Sequence, residues 1–334
     1  MLVCIAGKNN IAVDVLYELL EYKKIDDTIE LCVLLNRNDC GIDFWQKSLK
    51  LHAYRNSIPV VSLEKLYPVK ELLFLSMEYD RIIKPEKFHT KKLVNIHFSK
   101  LPEFKGVYTS AMQILHGEEA GVTLHHMDNG IDTGDIIAQK SFSIYDLTCR
   151  EVYGKCMEYG TNLVTKYLKR LIYHYDALDS IRQDADKSTY YSKSSIDYSN
   201  LSIDLNRTAY QIKKQILAYH YREYQLPTVE GNKIADIQIT IEKSKEKAGT
   251  VLYQDEHIIR YATIDYDIIL YIDRWGELLE ACKEGNLSLV KKIACNTRYL
   301  YEYDTEGNSA MDIARKYNQS KVMEYIEEVK EYKN

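Results

Sequence analysis

Two short stretches of the chain hold the side chains best suited to chemistry. In Leu93-Val94-Asn95-Ile96-His97-Phe98, an amide and an imidazole alternate with apolar residues before the run breaks at Leu101-Pro102. Alternation puts Asn95 and His97 on one face of a strand and Val94, Ile96 and Phe98 on the other. The second stretch, GVTLHHMDNGIDTGDIIAQK from Gly121 to Lys140, passes from an apolar strand through a polar loop into another apolar strand, with Asp128, Asp132 and Asp135 crowded in the loop. Taken alone, aspartate and glycine there only make a turn. Taken together, an Asn, a His and an Asp at adjacent strand ends suit acyl transfer to an amine without a covalent intermediate. The amine must lose a proton to attack, and imidazole is the side chain best poised to take it near neutral pH. The carbonyl oxygen gains charge in the tetrahedral species, which an Asn amide or a protonated His can stabilise. A carboxylate beside the His orients it and helps move the proton. No nucleophilic Ser or Cys is needed, and the chain has no G-x-S-x-G elbow.

The elements that must position these groups are legible as alternation of strand and helix. Candidate strands are Leu2–Ala6, Ile29–Leu35, Leu72–Ser76, Leu93–Phe98, Val122–Met127 and Asp135–Phe142. Between and after them, Ala12, Val13, Val15, Leu16, Leu19 and Leu20 have helical spacing, as do apolar residues between Glu151 and Leu171. This order predicts an α/β domain with a mainly parallel sheet. Ligands in such folds bind outside the carboxyl ends of the strands. Asn95 and His97 sit at such an end. From about 185 to 270, polar turns separate β-like runs, IADIQITI and IIRYATIDYDIILYI, and predict a small β-rich subdomain. In the last sixty or so residues, Leu278, Ala281, Leu289, Val290 and Ile293 recur 33 positions later as Met311, Ala314, Val322, Met323 and Ile326. That period and the helix-turn-helix pattern are those of ankyrin repeats, with the DTEGNSAMDIA turn between the two copies. About three repeats are needed for a continuous core, so this segment is expected to dock on what precedes it. The expected division is 1–185, 186–272 and 273–334.

At 334 residues, with 46% hydrophobic and 28% charged residues, the chain can bury a sizeable core as an ordinary globular protein. Its net charge of −5 offers no footprint for nucleic acid or an anionic membrane. No apolar run approaches the ~20 residues of a membrane helix, and the N-terminus has no basic n-region. Seven cysteines without a C-x-x-C pair suit reduced core thiols in a cytoplasmic protein and argue against a disulfide framework or a zinc site. No metal is implied.

The two chemical motifs together resemble the formyltransferases that use N10-formyltetrahydrofolate, which include glycinamide ribonucleotide, methionyl-tRNA and nucleotide-sugar formyltransferases. The family carries an Asn-x-His strand, a Leu-Pro turn and a D-x-G-x-D-T-G type loop. Here these are Asn95, His97, Leu101-Pro102 and Asp128-Asn129-Gly130-Ile131-Asp132-Thr133-Gly134. The resemblance covers roughly residues 1 to 185 and implies a Rossmann-like domain in which His97 is the general base, Asn95 polarises the formyl oxygen and Asp132 supports proton transfer. It also implies that the folate is held by backbone groups at Arg81 and Ile83, in YDRIIKP, and at Asp128 and Gly130. Read from its residues, RIIKP is an apolar strand ended by Pro85.

For the acceptor, Lys8, Asn9 and Asn10 lie between the first strand and first helix, where a lysine and helix-start amides could meet phosphate. The loop is neither G-x-G-x-x-G nor a P-loop. The stretch resembles the nucleotide-sugar branch, as does AYHYREYQLPTVEGNKI, whose Tyr221 or Tyr224 could stack on thymine with Gln225 hydrogen-bonding. Tyrosine is so frequent, at 29 residues, that ring position rather than residue type must decide this. Ser76 and Lys105 are further pocket candidates. From Lys187 onward, 21 Lys plus Arg face 23 Asp plus Glu, a balance of −2. A tRNA-binding surface would need basic excess there. Relatives in this branch that carry ankyrin repeats act on dTDP-3-amino-3,6-dideoxyhexoses, so the resemblance implies dTDP-Qui3N or dTDP-Fuc3N as acceptor, a role in bacterial surface polysaccharide such as O-antigen of lipopolysaccharide, and a homodimer. A second nucleotide site on the repeat would use Trp275 for stacking. The competing readings are a formyltetrahydrofolate deformylase and an ankyrin adaptor with an inactive formyltransferase domain.

Overall fold

The computed structural model describes residues 1–294 and 297–331. The chain forms two compact units, one of Met1–Leu147 with Glu151–Ile196 and one of Thr148–Arg150 with residue 197 onward.

In the first unit, β1 (Leu2–Gly7), α1 (Asn9–Ile25), β2 (Glu30–Leu35), α2 (Leu49–Arg55), α3 (Leu63–Leu66), β3 (Leu72–Met77) and β4 (Leu93–His97) follow in order. The apolar positions of α1 that the spacing picks out are buried, among them Ile11, Val15 and Leu19. Ser48 starts α2 by accepting a hydrogen bond from the Leu51 amide. Then come β5 (Lys105–Gly106), α4 (Thr109–His116), β6 (Glu119–His126), β7 (Ile136–Ser143), α5 (Cys149–Tyr173) and β8 (Tyr190–Tyr191). The six-stranded sheet has the order β2-β1-β3-β4-β6-β7.

Its first four strands run parallel, but β6 pairs antiparallel with both β4 and β7, so the sheet is mixed rather than mainly parallel throughout. For β7 the reason is connection length: the Asp-rich loop that joins it to β6 contains no crossover helix, and a direct connection returns the chain antiparallel. β6 itself runs opposite to β4 although α4 lies between them. The RIIKP segment is a second correction. No strand forms at 81–84; Ile83 alone is anchored in the core while Ile82 lies 77% exposed, and Pro85 opens a 3-10 turn over Pro85–Lys87. Gly160 lets α5 approach the core, since a Cβ there would lie 3.0 Å from Ile11 Cδ1.

In the second unit, α6 (Ala209–Tyr219) begins with a reciprocal cap between Thr208 and Gln211. It packs on a five-stranded antiparallel sheet of β9 (Thr228–Val229), β10 (Asn232–Ile239), β11 (Val251–Gln254), β12 (Ile258–Tyr261) and β13 (Ile268–Ile272), ordered β11-β12-β13-β10-β9. Their core is Ile212, Ile216, Ile234, Ile237, Ile259, Tyr261, Ile268 and Leu270. Among the described residues four α-helices follow: α7 (Trp275–Glu284), α8 (Leu287–Ile293), α9 (Ala310–Lys316) and α10 (Ser320–Glu331). Leu278, Ala281, Val290 and Ile293 share one core with Met311, Ala314, Val322 and Ile326, and Ala235 of β10 joins it. The segment therefore packs on the sheet as expected. Buried charges reinforce the contact: Arg222 donates to both oxygens of Asp273 and to Glu302, and His220 Nε2 lies 3.2 Å from Glu302. Such pairs must be fully engaged to offset their desolvation.

Cys4, Cys32, Cys149, Cys156 and Cys282 are buried free thiols, while Cys40 is exposed and Cys295 lies outside the described residues. Among the described residues, no helix is long and apolar enough to cross a membrane.

Candidate active site

The strand register builds the site. Asn95 on β4 lies opposite Ser76 of β3 on one side and His125 of β6 on the other, and His97 lies opposite Thr123. The polar face read in the sequence is thus a row across three strands. Thr123 Oγ1 fixes the chain beyond β4, donating to the Ser99 carbonyl at 2.7 Å and accepting from the Leu101 amide at 3.1 Å. The Leu101–Pro102 peptide that follows is cis.

Two carbonyls set the imidazole tautomers, because a carbonyl can only accept. His97 Nε2 donates to the Phe104 carbonyl at 2.9 Å, leaving Nδ1 to face Asp132 Oδ1 at 3.4 Å. His125 Nδ1 donates to the His126 carbonyl at 2.7 Å, so its Nε2 accepts from Asn95 Nδ2 at 3.0 Å. Burial drives the His125 pKa down to about 4, and the nearby His97 pushes the same way against the opposing pull of Asp132. His125 is therefore a neutral acceptor that aims the Asn95 amide and leaves its second N–H for a ligand oxygen.

Asp132 is held just as firmly. Its backbone is left-handed at φ 56°, its Oδ2 accepts from the Gly106 amide at 3.0 Å, and Gln183 Nε2 donates to its carbonyl at 2.8 Å and to that of Gly134 at 2.7 Å. Position 134 must be glycine, since a Cβ would stand 1.9 Å from the His126 carbonyl oxygen. Asp128 serves the loop itself, accepting from the Gly130 amide at 3.1 Å and the Thr133 hydroxyl at 2.6 Å, and a Cβ on Gly130 would meet Thr133 Oγ1 at 2.0 Å. The arrangement offers a proton acceptor backed by a carboxylate and an amide donor aimed by a neutral imidazole. That is equipment for attack of an amine on a polarised carbonyl.

The structure thus brings Asn95, His97, Asp132 and Ser76 together. Lys105 is buried in β5, paired with Tyr190, and its neighbours Phe104 and Gly106 supply the carbonyl and amide just described. Asn9 and Asn10 are engaged by protein groups: Asn9 Nδ2 donates to Glu78 and Tyr153, while Asn10 Oδ1 accepts from the Lys47 amide and its own amide donates to Gln46 Oε1. Lys8 is the N-cap residue of α1. Arg81 is exposed, 4.0 Å from the Asp80 carboxylate, and the Ile83 side chain belongs to the core, which leaves its backbone as the group a ligand could meet.

The remaining candidates lie in the second unit. Tyr221 is buried and its ring tilts against that of the exposed Tyr224 at 4.9 Å; the amide of Gln225 donates to the Tyr221 carbonyl. Trp275 corrects the stacking expectation. It is only 8% exposed, its ring stacks on Tyr299 at 6.1 Å, and the Arg222 guanidinium sits 5.1 Å over it, so it is a core residue rather than an open platform. Sequence reasoning missed His125, the Phe104 carbonyl and Gln183. The parity of His125 with Thr123 on its strand was a usable signal for the first. The Phe104 carbonyl is a backbone group seven residues beyond His97, and Gln183 comes from a distant loop; neither carries a signal.

A model of the formyl transferase family matches residues 64–168. The N-formyltransferase of Helicobacter canadensis, solved in complex with folinic acid and dTDP-3-aminofucose, is 40% identical over 81% of this chain and 99% of its own, with a TM-score of 0.74. WlaRD, a sugar 3N-formyl transferase solved in the presence of dTDP and 5-N-formyl-THF, is 38% identical over 82% of this chain and 98% of its own, with a TM-score of 0.73. Among curated proteins, methionyl-tRNA formyltransferase of Clostridioides difficile is 25% identical over 81% of this chain and 91% of its own length.

Proposed function

This chain belongs to the formyltransferase family and is an N-formyltransferase, and from that premise we propose that it moves the formyl group of N10-formyltetrahydrofolate to the amine of a dTDP-linked 3-amino-3,6-dideoxyhexose. The observation that carries the chemistry is the convergence of His97 Nδ1, Asp132 Oδ1 and the Asn95 amide on one sheet face. The amine nitrogen bonds to the formyl carbon and gives its proton to His97 Nδ1. Asp132 stabilises the resulting imidazolium. The second N–H of Asn95 holds the oxygen that becomes negative in the tetrahedral species. As the bond from carbon to N10 breaks, His97 returns the proton to the departing nitrogen. The backbone at Arg81, Ile83, Asp128 and Gly130 is the proposed folate contact. In the first unit, Lys8, Ser76 and Lys105 are proposed acceptor contacts; in the second, the exposed Tyr224 and its neighbour Gln225 are proposed nucleotide contacts, while Tyr221 is buried like Trp275.

The acceptor class is supported by the two sugar N-formyltransferases, which are more similar to this chain than the tRNA enzyme is, at 40% and 38% against 25% identity. The acidic balance from Lys187 onward favours the same choice. We read α7–α10 as two ankyrin-type repeats and the active form as a homodimer serving surface polysaccharide synthesis in the cytoplasm. Mass analysis after incubation with the folate donor and a panel of dTDP- and UDP-linked 3-amino and 4-amino sugars tests the reading. A formyl gain on a dTDP-3-amino sugar, abolished by His97→Asn and by Asn95→Ala, is the expected result. Donor consumption without any sugar product would favour a deformylase, and formylation of methionyl-tRNA alone would overturn the acceptor.

A further inference from the structure

A second group of polar residues gathers at the carboxyl ends of β1, β2 and β3, and the formyl-transfer steps do not use it. Glu78, directly after β3, has φ 59°, and Asn9, in the first turn of α1, has φ 65°. Left-handed backbone is costly for a residue bearing a Cβ, and such residues cluster at ligand sites. Both are firmly held. Asn36 Nδ2 donates to the Glu78 carbonyl at 2.8 Å, while Asn9 Nδ2 at 2.9 Å and the Tyr153 hydroxyl at 2.7 Å both donate to Glu78 Oε2. Asn9 Nδ2 also donates to the Tyr153 oxygen at 2.8 Å, closing a triangle.

All of this fastening uses one carboxylate oxygen. Glu78 Oε1 accepts no hydrogen bond from any described residue. Burial raises the Glu78 pKa, with Lys8, Tyr153 and Asn9 pulling the other way. Glu78 is only half-buried, so this oxygen is open to a donor that a ligand supplies. The register says where that ligand would be. Ser76 lies opposite Asn95 and Met77 opposite Ile96, so the residue after β3 emerges one strand over from His97, where the amine must lose its proton.

We propose that Glu78 Oε1 accepts a hydrogen bond from the ammonium group of the acceptor and so selects a cationic amine at this site. The assignment rests on the formyl-transfer reading. An aliphatic amine reaches the site mostly protonated, and a charge-assisted hydrogen bond to a fixed carboxylate holds it. One proton then leaves to solvent, and the neutral amine attacks and gives its second proton to His97, which passes it to the departing nitrogen.

Glu78→Gln tests this, because the amide keeps an oxygen for Asn9 and Tyr153 and changes only the atom at Oε1. The readouts are KM for the dTDP-amino sugar, KM for the formyl donor, and Ki of the neutral analogue bearing hydroxyl in place of the amine. The expected result is a rise of at least about tenfold in amine KM, with donor KM and analogue Ki unchanged. An unchanged amine KM, or equal rises in amine KM and analogue Ki, would overturn the assignment and leave Glu78 as a fastener of the β1–α1 loop. If the wild type formylates no amine, the acceptor reading falls and this assignment falls with it. Product from the wild type with an unaffected variant removes Glu78 alone.

Discussion

Replacing Asp132 with Asn isolates the carboxylate's charge from its structural duty. An Asn at 132 can still accept from the Gly106 amide through one oxygen, so the left-handed loop keeps its anchor. What changes is the atom facing His97 Nδ1, 3.4 Å away. At an effective dielectric of roughly 20, two unit charges at that distance attract by about 5 kcal/mol. At about 1.36 kcal/mol per tenfold in rate, this bounds the loss between three and four powers of ten. An amide in place of the carboxylate also aims an N–H at the lone pair His97 needs, so the variant's base is occupied as well as unsupported. The expected fall in kcat is about 10²–10⁴-fold, the span of a lost general base, with little change in donor KM. Product mass over time gives the rate, and thermal melting checks the fold. A variant within tenfold of wild type, melting normally, would refute the role given to Asp132.

Three other outcomes follow from the geometry. Because His125 has a native pKa of about 4 against an ordinary 6.5, it is neutral in both states above 6.5, whereas between 6.5 and 4 the unfolded chain binds a proton that the native state refuses. Stability should therefore decline as pH falls through that interval, by about 3 kcal/mol from this group, and denaturant melts of His125→Gln should show a shallower decline; an equal slope would remove the cause. Trp275→Ala should cost about 3–5 kcal/mol in urea unfolding while leaving the number of dTDP molecules bound per chain unchanged in equilibrium binding; loss of one bound nucleotide with stability intact would restore the stacking role. Gly134→Ala should destabilise by about 1–3 kcal/mol in the same unfolding assay and depress turnover, since the new Cβ must displace the His126 carbonyl or the Asp132 loop, and wild-type values for both would mean the loop yields freely.

Much of this protein was readable before any fold was known. Strand periodicity placed Asn95 and His97 on a common face because successive side chains on a strand alternate by geometry alone. Glycines and aspartates marked the loop that carries Asp132, since left-handed and tightly packed backbone restricts the choice of residue. The offset of 33 between Leu278 and Met311 foretold that both would fill equivalent places in one helical core. What the sequence could not decide were contacts that depend on how the chain folds back, some across long separations and some, like those of His97 and His125, across only a few residues. RIIKP has the apolar content of a strand, yet no neighbouring strand pairs with it, and Ile83 alone finds a core position. Trp275 could have stacked on a ligand until Arg222 and Tyr299 covered its ring. The tautomers of His97 and His125 depend on carbonyls at 104 and 126, and Glu78 acquires its two donors from α1 and α5. Local pattern fixes which face a side chain takes, because it depends on a few dihedrals. Partner, protonation and exposure are set by whatever the folded chain brings alongside, and only the tertiary structure decides that.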